Sequence, residues 1–140
     1  MFPVQFTFIQ FTFFINLSLS LLYGMLTGIE RELKNKPAGI STHCFVIAGA
    51  MIFTHISRTM FPAEPTRIAA QIISGVGFLG AGIIMKLDGG KVENLTTAAS
   101  VWYSAAIGMS LGYNLQVEAF LATLFGILVP RIPNVHPGAK

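Results

Sequence analysis

The sequence predicts an all-α membrane protein, a polytopic bundle of about five short transmembrane helices, and three observations predict it. Hydrophobic residues make up 53% of the 140 positions and charged residues only 11%, against roughly 25% charge in soluble domains. The apolar residues fall into stretches that approach the roughly 30 Å hydrocarbon thickness of a bilayer. Short segments holding most of the charge, proline and glycine separate those stretches. A soluble domain of this length needs more charge to cover its surface, and lipid as solvent removes that need.

The first expected span is Phe6–Ile29, ended by Glu30-Arg31-Glu32. No basic residue precedes it and no small-residue cleavage site follows, so it reads as a retained span and not a secretory signal. The Pro and Gly of Lys34-Asn35-Lys36-Pro37-Ala38-Gly39 mark a basic turn. The second span, His43–Ser57, is short, and Arg58 is placed to extend it by snorkelling. Thr66 or Glu64 would cap the third helix. That span, Ile68–Met85, has 18 residues, about 27 Å of helix. Lys86-Leu87-Asp88-Gly89-Gly90-Lys91 is a loop, and the charge-free stretch after it holds a fourth span, Thr96–Leu111. A brief fifth span, Glu118–Val129, is closed by Pro130 and Pro133. Residues 1–130 thus form one transmembrane domain, and 131–140 a short cytoplasmic tail.

The net charge of +3 is spread along the chain, which suits topology signals and not a nucleic-acid footprint. With five spans, Arg31, Lys34, Lys36, Lys86, Lys91, Arg131 and Lys140 share one side, and Arg58 and Arg67 the other. The positive-inside rule then puts the N-terminus outside and the C-terminus in the cytoplasm of a bacterial inner (plasma) membrane. The single cysteine, Cys44, lies in an apolar run and reads as a packing residue.

Helices in lipid associate through close backbone contact and polar links. Three spans carry small residues at helical spacing: Ser20, Gly24 and Gly28; Ala70, Ser74, Gly77 and Ala81; Thr97, Ser100, Ser104, Gly108 and Gly112. Each is expected to be a packed face, so replacing Gly77 is expected to break close packing. The third span holds Gly75, Gly77, Gly80 and Gly82 within eight residues. Two readings fit this density, a thin packing face and a helix broken at a functional site. The run Gly75-Val76-Gly77-Phe78-Leu79-Gly80 matches the dinucleotide pattern, but no strand precedes it and no basic residue is near. Asn94-Leu95-Thr96 abuts a span on the expected cytoplasmic side and is not taken as a glycosylation site.

Glu30 also has two readings. It pairs locally with Lys34, as Glu32 does with Lys36, or it points inward to a polar group from another span. Thr42, His43, Thr96 and Thr97 lie on the same expected side, and intramembrane acids are functional candidates. On the opposite side Glu64, Arg67 and Gln71 form a second polar group, read as a salt bridge fixing the loop. Glu118 reads as interfacial. There is no zinc-protease helix, Walker loop, nucleophile elbow or cysteine pair, and His43, His55 and His136 are scattered, so no enzyme is expected.

These landmarks resemble the MgtC/SapB family of bacterial inner-membrane proteins over nearly the whole chain. The residues that carry the resemblance are Gly24, Gly28, Glu30 and Arg31, then Lys36-Pro37-Ala38-Gly39-Ile40 with Thr42-His43. They continue with Arg67-Ile68, Gln71 and Ser74 through Gly82, and end with Leu95-Thr96-Thr97-Ala98-Ala99, Trp102, Ala105-Ala106 and Gly108. Glu64 stands where Asp is expected, Ser41 where Arg is usual and Asn94 where Gly is usual. The chain ends after the spans, so any activity of the soluble C-terminal domain of longer members is not carried over.

What the resemblance implies is a link to magnesium homeostasis and, for some members, virulence. The function expected is a non-enzymatic regulator or accessory of a partner membrane protein, a magnesium transporter or ATP synthase. The alternative is an oligomeric conduit for Mg2+ or a small solute, with Glu30 and the third span lining a polar path. Expected partners are the lipid bilayer and that membrane protein, with a homo-oligomer left open and nucleic acid excluded. No cofactor is expected, and a bound Mg2+ stays open. Magnesium demands octahedral oxygen ligands, whereas the six acids lie nearly all in loops.

Overall fold

Helix α1 (Phe2–Leu33) does not stop at Ile29, because the charged residues that follow continue it. The computed structural model, which describes residues 2–86 and 92–133, pairs Glu30 with Lys34 one turn on, holding the last turn together. Asn35, in the left-handed region at φ 50°, then turns the chain out. Helix α2 (Ile40–Met60) follows and is longer than the expected His43–Ser57. Glu32 does not serve Lys36 here. Its Oε2 accepts the Ile40 N–H at 3.0 Å, so an acid of α1 caps the N-terminus of α2. A Cβ on Gly39 would meet that carboxylate at 2.6 Å, so a larger residue there would have to push the Glu32 side chain aside.

Helix α3 (Thr66–Ile83) begins behind Pro65 without a side-chain cap, so neither Thr66 nor Glu64 plays that part. Instead the Pro65 carbonyl accepts the Ser57 hydroxyl at 2.8 Å and the Tyr113 hydroxyl at 3.2 Å. The helix runs unbroken through all four glycines, which overturns the broken-helix reading. It is followed by a two-residue antiparallel ladder, β1 (Met85–Lys86) with β2 (Val92–Glu93). Residues 87–91 of the expected loop, including Lys91, lie outside the described residues, as does the tail from 134 to Lys140.

Asn94 opens helix α4 (Leu95–Gly112) at φ 64°, a conformation that Asn tolerates best after glycine. Helix α5 (Gln116–Leu128) starts before Glu118 and passes into a 3-10 turn, Val129–Arg131. Its 13 residues make about 20 Å of helix, short of a full bilayer core. Three helices, at Thr7–Leu33, Ile40–Met60 and Thr66–Ile83, are long and apolar enough to cross a membrane.

Helices α2 and α4 cross at the centre, with α1 and α5 on one side and α3 on the other. Tyr23, Ile47, Met51, Ile107, Leu111 and Ala119 form one core cluster. Val46, Ala50, Ile72, Val76, Val101 and Ala105 form the second. Two small-residue faces act as expected. A Cβ on Gly24 would fall 2.5 Å from Cys44 Cα, and one on Gly28 would strike Ile40 Cα. On α4, a Cβ on Gly108 would strike the Ile47 carbonyl oxygen, and one on Gly112 would lie 2.5 Å from Thr54 Cβ. The third face does not. Ala70, Ser74, Gly77 and Ala81 are all exposed, and α3 packs instead through Ala69, Ile72, Val76 and Gly80, rotated by a residue or two.

Hydroxyls along the helices turn back on their own backbone. Ser20, Thr27, Ser110 and Thr123 each donate to the carbonyl four residues earlier at 2.8–2.9 Å.

Candidate functional site

The end of the bundle that carries Arg31, Lys34 and Lys36 also gathers most of the candidate residues. Glu30 is largely buried but does not reach across to another helix. It lies 3.6 Å from Arg31 Nε and pairs with Lys34, so the local reading holds and the inward pairing does not. Its neighbour Arg31 takes the inward place, because one helical residue rotates the side chain by about 100°. Arg31 is 5% exposed and His43 1%. Both line a cavity of about 260 Å³ together with Thr96, Ser100 and Ser104 from α4 and Phe125 and Val129 at the end of α5.

His43 Nδ1 sits 2.8 Å from Ser104 Oγ. Ser104 in turn donates to the Ser100 carbonyl at 3.0 Å. With the Ser104 hydrogen assigned to that carbonyl, its oxygen accepts from His43 Nδ1–H. In the neutral ring Nε2 then carries the lone pair. Arg31 Nη2 and His43 Nε2 are buried with no hydrogen-bond partner among the described residues. Thr97 is buried and does not line the cavity, while Thr96 lines it and is exposed. Lys36, Pro37 and Thr42 lie apart, around an open hollow on the α1–α2 turn.

The glycines of α3 form a second region. Gly80 faces the backbone of α4, where a Cβ would lie 3.7 Å from the Ala98 oxygen. Gly75, Gly77 and Gly82 have nothing within 4 Å of that position. A groove of about 470 Å³ runs between α2 and α3, with Gly49 and Gly75 in its floor and Phe45, Phe53, Gln71 and Leu79 along it. Only 17% of the apolar window of α3 is buried, against 39% for α2.

At the opposite end Glu64 and Arg67 do form an ion pair, at 3.8 Å and with side chains 71% and 82% exposed. Such a pair contributes little to fixing the loop. The stronger link there was not among the sequence candidates. Asn16, fully buried in α1, donates to the Leu111 carbonyl at 2.9 Å and accepts from Gln116 Nε2 at 3.1 Å. The Asn114 side chain bridges it to Arg58, one terminal amide atom 2.7 Å from Asn16 Nδ2 and the other 2.9 and 3.0 Å from the guanidinium nitrogens. Arg58 also donates to the Tyr113 carbonyl at 3.2 Å, so it is held by the bundle and does not simply snorkel. An asparagine in the middle of the apolar first span was the available signal. Among the described residues no group of three or more His, Cys, Asp or Glu is gathered to hold a metal ion.

Comparison with known proteins finds a match to the model of the MgtC family over residues 17–134. The chain is 44% identical to Protein MgtC of Salmonella typhimurium (strain 14028s / SGSC 2262) over 116 residues, covering 83% of this chain and 50% of that protein. It is 47% identical to Protein MgtC of Brucella abortus (strain 2308) over 109 residues, 77% of this chain and 45% of the relative. It is 42% identical to Protein SapB of Bacillus subtilis (strain 168) over 121 residues, 79% and 52% respectively. The chain spans about half the length of these curated relatives. No solved structure matches it.

Proposed function

This chain belongs to the MgtC family of membrane proteins, and we propose that it is a non-enzymatic inner-membrane regulator or accessory tied to magnesium homeostasis. It works by docking α3 against a transmembrane helix of a partner membrane protein. The observation that carries this reading is the open space at Gly75 and Gly82, seven residues apart and so on one face of the least enclosed long helix. In lipid, two helices gain little from burying apolar surface against each other. They gain from close backbone approach, which small residues permit. α3 presents that thin face, and its own chain does not fill it. The α2–α3 groove is wide enough for side chains of the incoming helix, with the Gln71 amide at hand for an interhelical hydrogen bond. The basic turn after α1 faces the cytoplasm in this reading, with the N-terminus outside.

The space around these glycines also makes a test. A Cβ at Gly75 or Gly82 has nothing within 4 Å, so a larger side chain there is expected to crowd the docking face first, and Gly77→Leu, on another side of the same helix, is the control. Crosslinking and co-purification from native membranes are expected to recover a partner with the wild-type chain and with Gly77→Leu, and to lose it with Gly75→Leu and Gly82→Leu at unchanged unfolding midpoints. Liposomes holding the purified chain are expected to show no magnesium flux. Flux that disappears with Glu30→Ala would overturn the docking reading and establish the conduit.

A further inference from the structure

We propose that the cavity beside Arg31 binds the headgroup of an anionic phospholipid, a singly charged phosphodiester that carries a free hydroxyl, as in phosphatidylglycerol. Arg31 Nη2 and His43 Nε2 are both buried, both without a partner among the described residues, and both belong to residues lining this one cavity. Leaving such groups unmet in a low-dielectric site is costly. Their chemistry is complementary. The guanidinium only donates, which suits a phosphate oxygen. The His43–Ser104–Ser100 chain leaves Nε2 as an acceptor, which suits a hydroxyl donor on the same ligand.

Charge and shape narrow the class further. Glu30 stands between Arg31 and Lys34, one carboxylate for two cations, which leaves a single positive charge for a single negative one. The rest of the wall is apolar and faces outward, with Trp102 50% and Phe125 58% exposed. A soluble phosphate ester would leave that wall unused, whereas acyl chains would lie along it. The site lies at the end of the bundle where α1 and α5 finish and α2 and α4 begin, the depth of a headgroup.

The test uses the full chain in neutral detergent, with native mass spectrometry and thermal unfolding as readouts. The probes are dioleoyl phosphatidylglycerol, dioleoyl phosphatidylcholine and glycerol 3-phosphate. Phosphatidylglycerol is expected to bind about tenfold more tightly than phosphatidylcholine, the scale of one charge-assisted hydrogen bond, and to raise the unfolding temperature. Arg31→Gln is expected to abolish that preference. Because Arg31 is buried, Ala99→Trp is the second variant. Ala99 is exposed and lines the cavity, so the ring fills the space and leaves every charge in place. Equal binding of the two lipids by the wild type would overturn the proposal. So would a phosphatidylglycerol preference that survives in folded Ala99→Trp, since it would then come from the basic turn. Glycerol 3-phosphate binding as tightly as the lipid would overturn it in favour of a soluble ligand.

Discussion

Replacing Gly108 by Ala adds one methyl to a helix crossing that has no room for it. The new Cβ would strike the Ile47 carbonyl oxygen and lie 2.9 Å from Ala50 Cβ. Neither neighbour can rotate away, because one is backbone and the other is fixed to it. Helices α2 and α4 must therefore separate, loosening contacts around Ile47 and Ile107, both fully buried. Overpacking of this kind costs about 1–3 kcal/mol, while exchanging Gly for Ala within a helix returns about 0.5–1 kcal/mol. The two ranges leave a net loss of about 0–2.5 kcal/mol, about 1 kcal/mol at their midpoints. Gly77→Ala is the matched control, since nothing lies within 4 Å of its Cβ position. It keeps only the helix gain, about 0.5–1 kcal/mol of added stability. The same methyl thus has opposite signs on two helices of one bundle. Unfolding in mild micelles by titration with a denaturing detergent, followed by far-UV circular dichroism, reads both. Gly108→Ala unfolding at or above the wild-type midpoint would refute the packing argument, and a destabilised Gly77→Ala would show that the open face is closed within the chain.

Two further substitutions probe the polar contacts. Asn16→Ala leaves the Gln116 amide without its partner and the Leu111 carbonyl with only the Asn114 N–H, and is expected to cost about 1 kcal/mol, the scale of interhelical hydrogen bonds in membranes; an unchanged midpoint in the same titration would count against the network. Glu30→Gln removes the countercharge beside buried Arg31. It is expected to cost about 2–3 kcal/mol, below the value for a fully enclosed pair because Lys34 reaches water. A midpoint insensitive to that change would show that another group balances Arg31.

The helices were legible because lipid demands long apolar runs, and the runs around Leu21, Ile47 and Ile72 stand out. Their ends were less so. α1 continues past Ile29 because Glu30 and Lys34 pair one turn apart, a contact that the composition of the segment does not separate from a stop. The three small-residue stripes look alike in sequence, yet Gly28 and Gly108 face a helix of the same chain and Gly77 does not. A stripe reveals that a face is thin, and says nothing of where its partner resides. The polar cluster was placed at the correct end with the wrong member inward. Glu30 and Arg31 are adjacent, and which one turns to His43 depends on a rotation set by the packing of Gly24 and Gly28 on α2. Asn16 went unnoticed because its partners, Leu111 and Gln116, are about a hundred residues away.

The hydroxyls that bond back to their own helices bear on how the protein is made. Ser20, Thr27, Ser110 and Thr123 spend their hydrogens locally, so each rod enters the bilayer with those groups already content and owes nothing to rods synthesised later. Asn16 is different, since its amide waits unmatched until Leu111 and Gln116 have emerged from the ribosome. That amide is therefore a tie between the first rod and the last two that only the finished bundle completes.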